Sequence, residues 1–345
     1  MALQKNTFIK DKLILGIKEY MNELSIAALI VLITCISPLL SSVFLAGDNL
    51  LNLLRQTSYT AIAAMGMYFV ILIGGIDLSI GATIQVVGMV SIMMLTSGYS
   101  TVTTIVCVVL IGLVIGLVNG VLVTFGKLQP FVVTLVTKSI MDGIVLVTTD
   151  GASISGKVPE SFVKIGTEYI GIFPVPVVIT MIVFGITFIL MSRTTYGRRL
   201  FVTGSNKVAS YNSGTNVRLI QISAYILCAL LATISGVLTV ARIGAFQPST
   251  THGGATGMEL NAIAAAVIGG ASLSGGKGSV IGALFGALLY GVLSNLFPLI
   301  GVNSYLQQLI QGVIIIVAVI AAGRNSSSSK IKLRKSNGGS HEYST

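Results

Sequence analysis

Apolar runs of about 17–25 residues, the length a helix needs to cross a bilayer, follow one another along nearly the whole chain. Short polar or Gly/Pro-containing stretches separate them. The runs lie at 24–46, 59–76, 80–97, 102–125, 130–148, 174–192, 219–240, 258–274, 280–297 and 303–322. This pattern predicts an all-α, polytopic transmembrane bundle of about ten spans, within a range of roughly 8–10. The element at 258–274 is short and rich in glycine, so a broken or re-entrant helix is the alternative there. Such backbone is tolerated only where protein or a water-filled cavity surrounds it, which would put this element beside a pathway.

Composition agrees with the pattern. Apolar residues make up 53% of the 345-residue chain and charged residues 9%, against about 25% charged in soluble domains. The net charge of +10 would point to nucleic acid in a soluble protein, but its placement points to a membrane instead. Lys5, Lys10, Lys12 and Lys18, then Lys127, the basic loop 193–218, Lys277 and the C-terminal tail all fall on one side of an alternating threading. Only Arg55, Lys157, Lys164 and Arg242 fall on the other, and Lys138 sits within a span. By the positive-inside rule the basic side is cytoplasmic, so both termini are expected there. The first apolar run is longer than the ~7–15 residues of a signal-peptide core and no A-x-A site follows it. It reads as a retained span. The expected organisation is a cytoplasmic N-terminal tail (1–23), one membrane domain (24–322) and a basic, low-complexity C-terminal tail (323–345) expected to be disordered and able to touch anionic lipid.

Two loops are long. The outer loop 149–173 is polar and Gly-containing. The inner loop 193–218 is basic, and its middle is suited to a short helix, with Ser205 or Asn206 placed to cap it and Gly214 to stop it. Cys35, Cys107 and Cys228 are far apart, each in an apolar run. They read as buried small hydrophobes and indicate neither a metal nor a disulfide framework. His252 and His341 have no nucleophile at a telling spacing, so no catalytic residues and no metal site are indicated.

Ionisable groups inside a bilayer cost about 2.5–3.5 kcal/mol each on insertion scales, and each therefore needs a reason. Asp77 and Ser79 lie in GGIDLSIG (74–81), at the inner end of the second run. Either is placed to cap the next helix, or to meet a solute. Lys138 and Asp142, four apart on one helix face, are expected to pair and partly cancel their desolvation. Glu259 and Asn261 open the eighth run near the outer surface. There Glu259 is either a solvated acid favoured by the helix dipole or, with Asn261, part of a cavity suited to an uncharged hydroxylated solute.

The glycine-rich stretch 269–279 fails as a Walker A loop, because Ala271 stands at the first Gly position for Gly276-Lys277 and Gly278 follows the lysine. The chain is thus expected to bind no nucleotide itself. That stretch instead echoes an earlier one. Ala61-Ile62-Ala63-Ala64 leads to Gly74-Gly75 and Leu78-Ser79, and Ala262-Ile263-Ala264-Ala265 leads to Gly269-Gly270 and Leu273-Ser274. Two glycine-interrupted elements at related places in two halves point toward a transporter core.

At GGIDLSIG (74–81), QPFVVTL (129–135), YGRRLFVTGSN with the later SG (196–214), MELNAIAAAVIGGASLSGGKGSVIGALFGALLYGVLSN (258–295) and NSYLQQLIQG (303–312), the chain resembles the permease subunits of bacterial ABC importers for monosaccharides, the ribose, xylose and galactose group. The resemblance covers roughly 48–322. It implies a permease in the bacterial inner membrane with no ATPase motif of its own. Its implied partners are a cytoplasmic ABC ATPase that binds the ATP, a second permease subunit, identical or paralogous, and an extracytoplasmic solute-binding protein. It also implies that Gly204, Asn206, Ala209, Ser213 and Gly214 form the ATPase-coupling segment. The chain departs from its relatives at Asn261, where they commonly carry Asp, at Lys207, where an acid is usual, and at Lys138/Asp142, where an Arg before the glycine is common. The alternative from a different class is a self-contained secondary transporter or facilitator, for which Asp77, Lys138, Asp142 and Glu259 would have to form an ion relay.

Overall fold

The computed structural model describes residues 21–248 and 257–303, with further helical residues between 305 and 320. The expectations for the two tails, for the loop holding His252 and for the far end of the last run lie outside the described residues. The helices are α1 (Met21–Leu40), α2 (Gly47–Leu72), α3 (Ile80–Thr96), α4 (Thr101–Thr124), α5 (Pro130–Thr149), α6 (Glu160–Thr167), α7 (Val175–Arg193), α8 (Thr195–Ser205), α9 (Lys207–Asn212), α10 (Val217–Ile243), α11 (Met258–Ile268) and α12 (Val280–Leu299). Strands are confined to two antiparallel ladders of two residues each: β1 (Ile154–Ser155) with β4 (Ala245–Phe246), and β2 (Tyr169–Ile170) with β3 (Phe173–Pro174). Among the described residues, α1, α4, α5, α7, α10 and α12 contain stretches long and apolar enough to cross a membrane. The chain is a multi-pass, all-α membrane protein.

The second and eighth runs depart from the hydropathy reading. The continuous second run expected at 59–76 is part of a 26-residue helix that starts at Gly47 and stops at Leu72. Its first half is polar, yet it is helical because its polar groups are bonded inside the protein. Asn49 and Asn295 exchange amide hydrogen bonds at 2.9 and 3.0 Å, and Asn52 accepts one from Arg242 at 2.8 Å. The span expected over 258–274 is a broken element. Helix α11 has 11 residues, about 16 Å at 1.5 Å per residue, half the ~30 Å of hydrocarbon. The chain then runs as a glycine-rich loop to α12. The first run also ends early, at Leu40, where a turn replaces the expected helix to residue 46.

Helix α10 is central and packs on α2, α3, α4 and α6. Its fit against α4 depends on Gly112, Gly116 and Gly120, spaced by four on one face. A Cβ at Gly116 would lie 2.7 Å from the Ile226 Cα and 2.8 Å from the Tyr225 carbonyl, and one at Gly120 would lie 2.9 Å from the Ile222 Cα. With lipid as apolar as leucine, close backbone approach through small residues is what holds such helices together. The outer loop 149–173 is also more ordered than its polarity implied. Helix α6 buries Phe162 completely and lays Gly166 against the backbone of Arg242, while β1 pairs with β4. The three cysteines differ: Cys228 is buried, Cys107 half-buried, and Cys35 is exposed on the outward face of α1, contrary to the uniform burial expected.

Substituting Gly116→Leu forces overpacking against backbone, which costs about 1–3 kcal/mol or more. A lower thermal midpoint in detergent is expected, whereas Gly185→Leu on α7, where no neighbour lies within 4 Å, should leave it nearly unchanged. Equal midpoints for the two variants would show that the α4–α10 contact is not tight.

Candidate functional site

At one end of the bundle three backbone segments meet. The Leu72 carbonyl at the end of α2 accepts a 2.8 Å hydrogen bond from the Gly276 amide, in the loop after α11. Gly204, near the end of α8, presses on both, so that a Cβ there would lie 1.8 Å from the Leu72 oxygen and 2.6 Å from the Gly276 nitrogen. Gly275 and Gly276 hold positive φ of 81° and 71°, the left-handed region that glycine enters without penalty. The two echoing segments thus lie side by side, with Gly74 facing Ser274. Helices α2 and α11 reach this junction from the same direction.

The inner loop 193–218, expected to hold one short helix, forms two. Thr194 caps α8 by accepting from the Gly197 amide at 3.3 Å. Asn206 caps α9, its Oδ1 accepting from the Val208 and Ala209 amides, both at 3.0 Å. Gly214, at φ 76°, carries the chain out of α9. A buried hydroxyl pair, Thr203 with Ser210 at 2.9 Å, locks α8 to α9. Ser223 donates to the Ile220 carbonyl and therefore accepts from the Tyr196 hydroxyl at 2.9 Å, tying α8 to α10. Burial raises the Tyr196 phenol above its usual range, offset by the Ser223 bond, so it remains a donor at neutral pH. Of the coupling-segment residues, Asn206, Ala209, Ser213 and Gly214 are exposed, while Gly204 turns inward to the junction. The pair of helices presents Val208 (70% exposed) and Tyr211 (72% exposed) outward.

Asp77 and Ser79 are both 1% exposed and belong to an internal network. Asp77 Oδ1 accepts from the Ser79 amide at 2.8 Å and the Ser79 hydroxyl at 2.5 Å. Asn119 on α4 donates to Ser79 Oγ at 2.9 Å and accepts from Thr137 on α5 at 2.7 Å. The entry to α3 is therefore held by Asp77, three residues ahead of Ile80, through its bonds to Ser79, and neither Asp77 nor Ser79 lines the cavity described next.

About a dozen residues back along α2 from the junction, roughly 18 Å at helical rise, a cavity of about 290 Å³ opens at the other end of the bundle. It is lined from α2, α10, α11 and α12 by residues including Thr57, Tyr59, Arg242, Asn261 and Ser294. Asn261 faces it; Glu259 turns away and forms an ion pair with Lys138 on α5. The pairing expected inside α5 is therefore replaced by one between helices. Lys138 reaches a nearly buried acid on α11, and Asp142 accepts from Gln85 on α3 at 3.1 Å. Spacing alone placed Lys138 by Asp142; only the fold brings Glu259 within reach. The cavity residues on α2 were missed because they lie in the polar half of that helix. The signal available was the Thr57–Thr60 run beside Arg55 and Gln56.

The fold and this junction are those of a multi-pass membrane protein, and comparison with known proteins places it among transport-system permeases. The family model described as branched-chain amino acid transport system / permease component matches residues 49–319, and the chain belongs to that family. The ribose import permease protein RbsC of Haemophilus influenzae is 40% identical over 300 residues, 86% of this chain and 91% of that protein. RbsC of Bacillus subtilis is 37% identical over 304 residues, 88% of this chain and 92% of that protein. The D-allose transport system permease protein AlsC of Escherichia coli is 36% identical over 277 residues, 80% and 83% of the two chains. No solved structure matches.

Breaking the Lys138–Glu259 pair from either side leaves one charge inside the bundle. Because Lys138 keeps 30% of its side chain exposed, the expected loss is below the ~3–5 kcal/mol of a fully buried pair, at about 1–3 kcal/mol for Lys138→Met or Glu259→Gln. The double variant should recover much of it. A double-mutant cycle on unfolding in detergent measures this, and strictly additive losses would mean the two groups do not interact.

Proposed function

We propose that this chain is the permease subunit of an ABC importer that carries a monosaccharide, or a similarly small polyhydroxylated solute, into the cytoplasm. Support for the solute class comes from relatives named for ribose and allose import, both monosaccharides, and from a membrane cavity walled by hydroxyls and amides. The observation that carries the coupling is the seating of α8, locked to α9, on the end of α2 and on the loop that follows α11. A push on that helix pair reaches the Leu72–Gly276 junction directly, because Gly204 leaves no side chain between them. Packed elements respond to such a push as rigid bodies.

In this reading Val208 and Tyr211 insert into a groove of a separate cytoplasmic ATPase, which binds the ATP and supplies the power. The chain itself performs no catalysis. A second permease, identical or paralogous, completes the pathway, and an extracytoplasmic binding protein delivers solute. The α9 end faces the cytoplasm, as do both termini, and the membrane is the bacterial inner membrane. Two segments serve as units here: 24–322 as the membrane permease and 193–218 as its coupling loop. Glu259 and Lys138 hold α11 in place, and Asn261 meets the solute.

Aromatic residues at interface centres commonly contribute about 2 kcal/mol, and every 1.4 kcal/mol is tenfold. Tyr211→Ala together with Val208→Ala should therefore weaken co-purification of the ATPase by about tenfold or more and depress uptake, with the permease still present in the membrane. Gly204→Leu should abolish uptake by prying α8 off the junction. Unchanged ATPase association in the first variant, or solute uptake driven by an ion gradient in vesicles holding this chain alone, would overturn the reading.

A further inference from the structure

We infer that the cavity between α2, α10, α11 and α12 is a binding site for one neutral sugar ring, formed within a single permease subunit. The inference rests on the sugar-import reading and names the place where that solute is held.

Three observations carry it. The first is hydrogen-bonding capacity left unspent. Thr57, 3% exposed, lines the cavity, yet its hydroxyl oxygen is buried and has no hydrogen-bond partner; the Tyr59 hydroxyl on the same wall has the Arg242 guanidinium as its neighbour. Leaving a buried polar group unpaired costs about 1–3 kcal/mol, and natural interiors rarely carry such a group on a cavity wall without a ligand or water to meet it. A sugar hydroxyl both donates and accepts, which suits hydroxyl oxygens whose own protons can turn either way.

Charge is the second. Arg242 is the cation among the lining residues, and its Nη2 is already bonded to Asn52 at 2.8 Å. Among the described residues no carboxylate lines the cavity, and Glu259 turns to Lys138. The remaining polar groups are neutral: Gln56, Thr60, Thr239, Asn261 and Ser294. That set recognises hydroxyls, and the remaining N–H groups of Arg242 can donate to a sugar oxygen.

Size and shape are the third. At about 290 Å³ the cavity lies at the lower end of the ~300–1,000 Å³ usual for ligand sites, enough for a single ring and too small for a disaccharide. Tyr59 and Tyr290 both stand at its wall and supply apolar ring faces to pack against sugar C–H groups.

The chain has no tryptophan, so Met258→Trp, at the rim of the cavity, gives a single fluorescent reporter. The purified full-length permease carrying it would be titrated with D-ribose, D-allose, D-xylose and D-glucose, and with D-gluconate as the anionic control. A saturable change with at least one neutral sugar is expected, with little response to gluconate. Thr57→Val and Asn261→Leu should each raise the half-saturating concentration about three- to tenfold. In the assembled transporter they should raise KM for uptake by a similar factor, with a smaller effect on kcat.

If the transporter imports one of these sugars but the reporter never saturates and both variants keep normal KM, the site falls and the sugar-import reading stands. If none of the sugars is imported and none moves the reporter, both fall. A stronger response to gluconate than to any neutral sugar would also overturn the assignment.

Discussion

The Gly276 amide and the Leu72 carbonyl hold the architecture together, because a membrane interior leaves no water to satisfy backbone at the broken ends of helices. The last carbonyls of any helix lack intrahelical partners, and Leu72 finds its partner in another loop at 2.8 Å. The neighbouring backbone is settled locally. Gly74 and Gly75 donate to Ile71 and Val70, Ala271 donates to Ala266, and Ser272 donates to Lys277. Two interruptions that would each be costly alone become affordable by facing each other. Glycine is required on both sides, since any Cβ at Gly204 or Gly276 would fall within 2.2 Å of an atom across the junction.

From this junction α2 and α11 run side by side toward the cavity, α2 carrying cavity residues about its middle and α11 near its start. The α8–α9 pair is thereby linked to the cavity by a short route through packed backbone. The route is constrained laterally as well. The Asp77–Ser79–Asn119–Thr137 chain of hydrogen bonds ties the loop before α3 to α4 and α5, while the Lys138–Glu259 ion pair ties α5 to the start of α11. Helix α11 is thus held at its start by charge and just past its end by backbone contact, where Gly269 lies against Gly282.

The sequence made the membrane, the span order and the segregation of basic loops legible, since each depends on composition over a whole run. In the structure Arg218 lies over Phe125 and Arg55 over Tyr169, so each of these basic groups meets an aromatic ring from a loop or helix end distant in sequence. Asn206 and Gly214 were legible as the two ends of α9 because capping is local. What was not legible depends on neighbours distant in sequence. The polar half of α2 looked like a loop because Asn295 and Arg242, which bond it, lie more than 180 residues away. Lys138 looked like the partner of Asp142 because only helical spacing was visible. The Gly112–Gly116–Gly120 stripe was present as a spacing signal, but which helix it received could not be read without the fold.

These failures share a physical cause. Helices α1, α4, α5 and α7, which hydropathy identifies easily, bury only 11–28% of their apolar windows within the protein. Their composition is dictated by lipid, and lipid demands uniform apolarity. Helices α2, α3 and α11 escape the same criterion, and two of them, α2 and α11, supply both the junction and the cavity. A helix sheltered by other helices is free to carry Asn, Thr, Arg and Glu, to be too short to span, and to stop at glycine. The junction and much of the cavity wall are therefore built from the elements least like membrane helices by composition, with α10 and α12 completing the cavity.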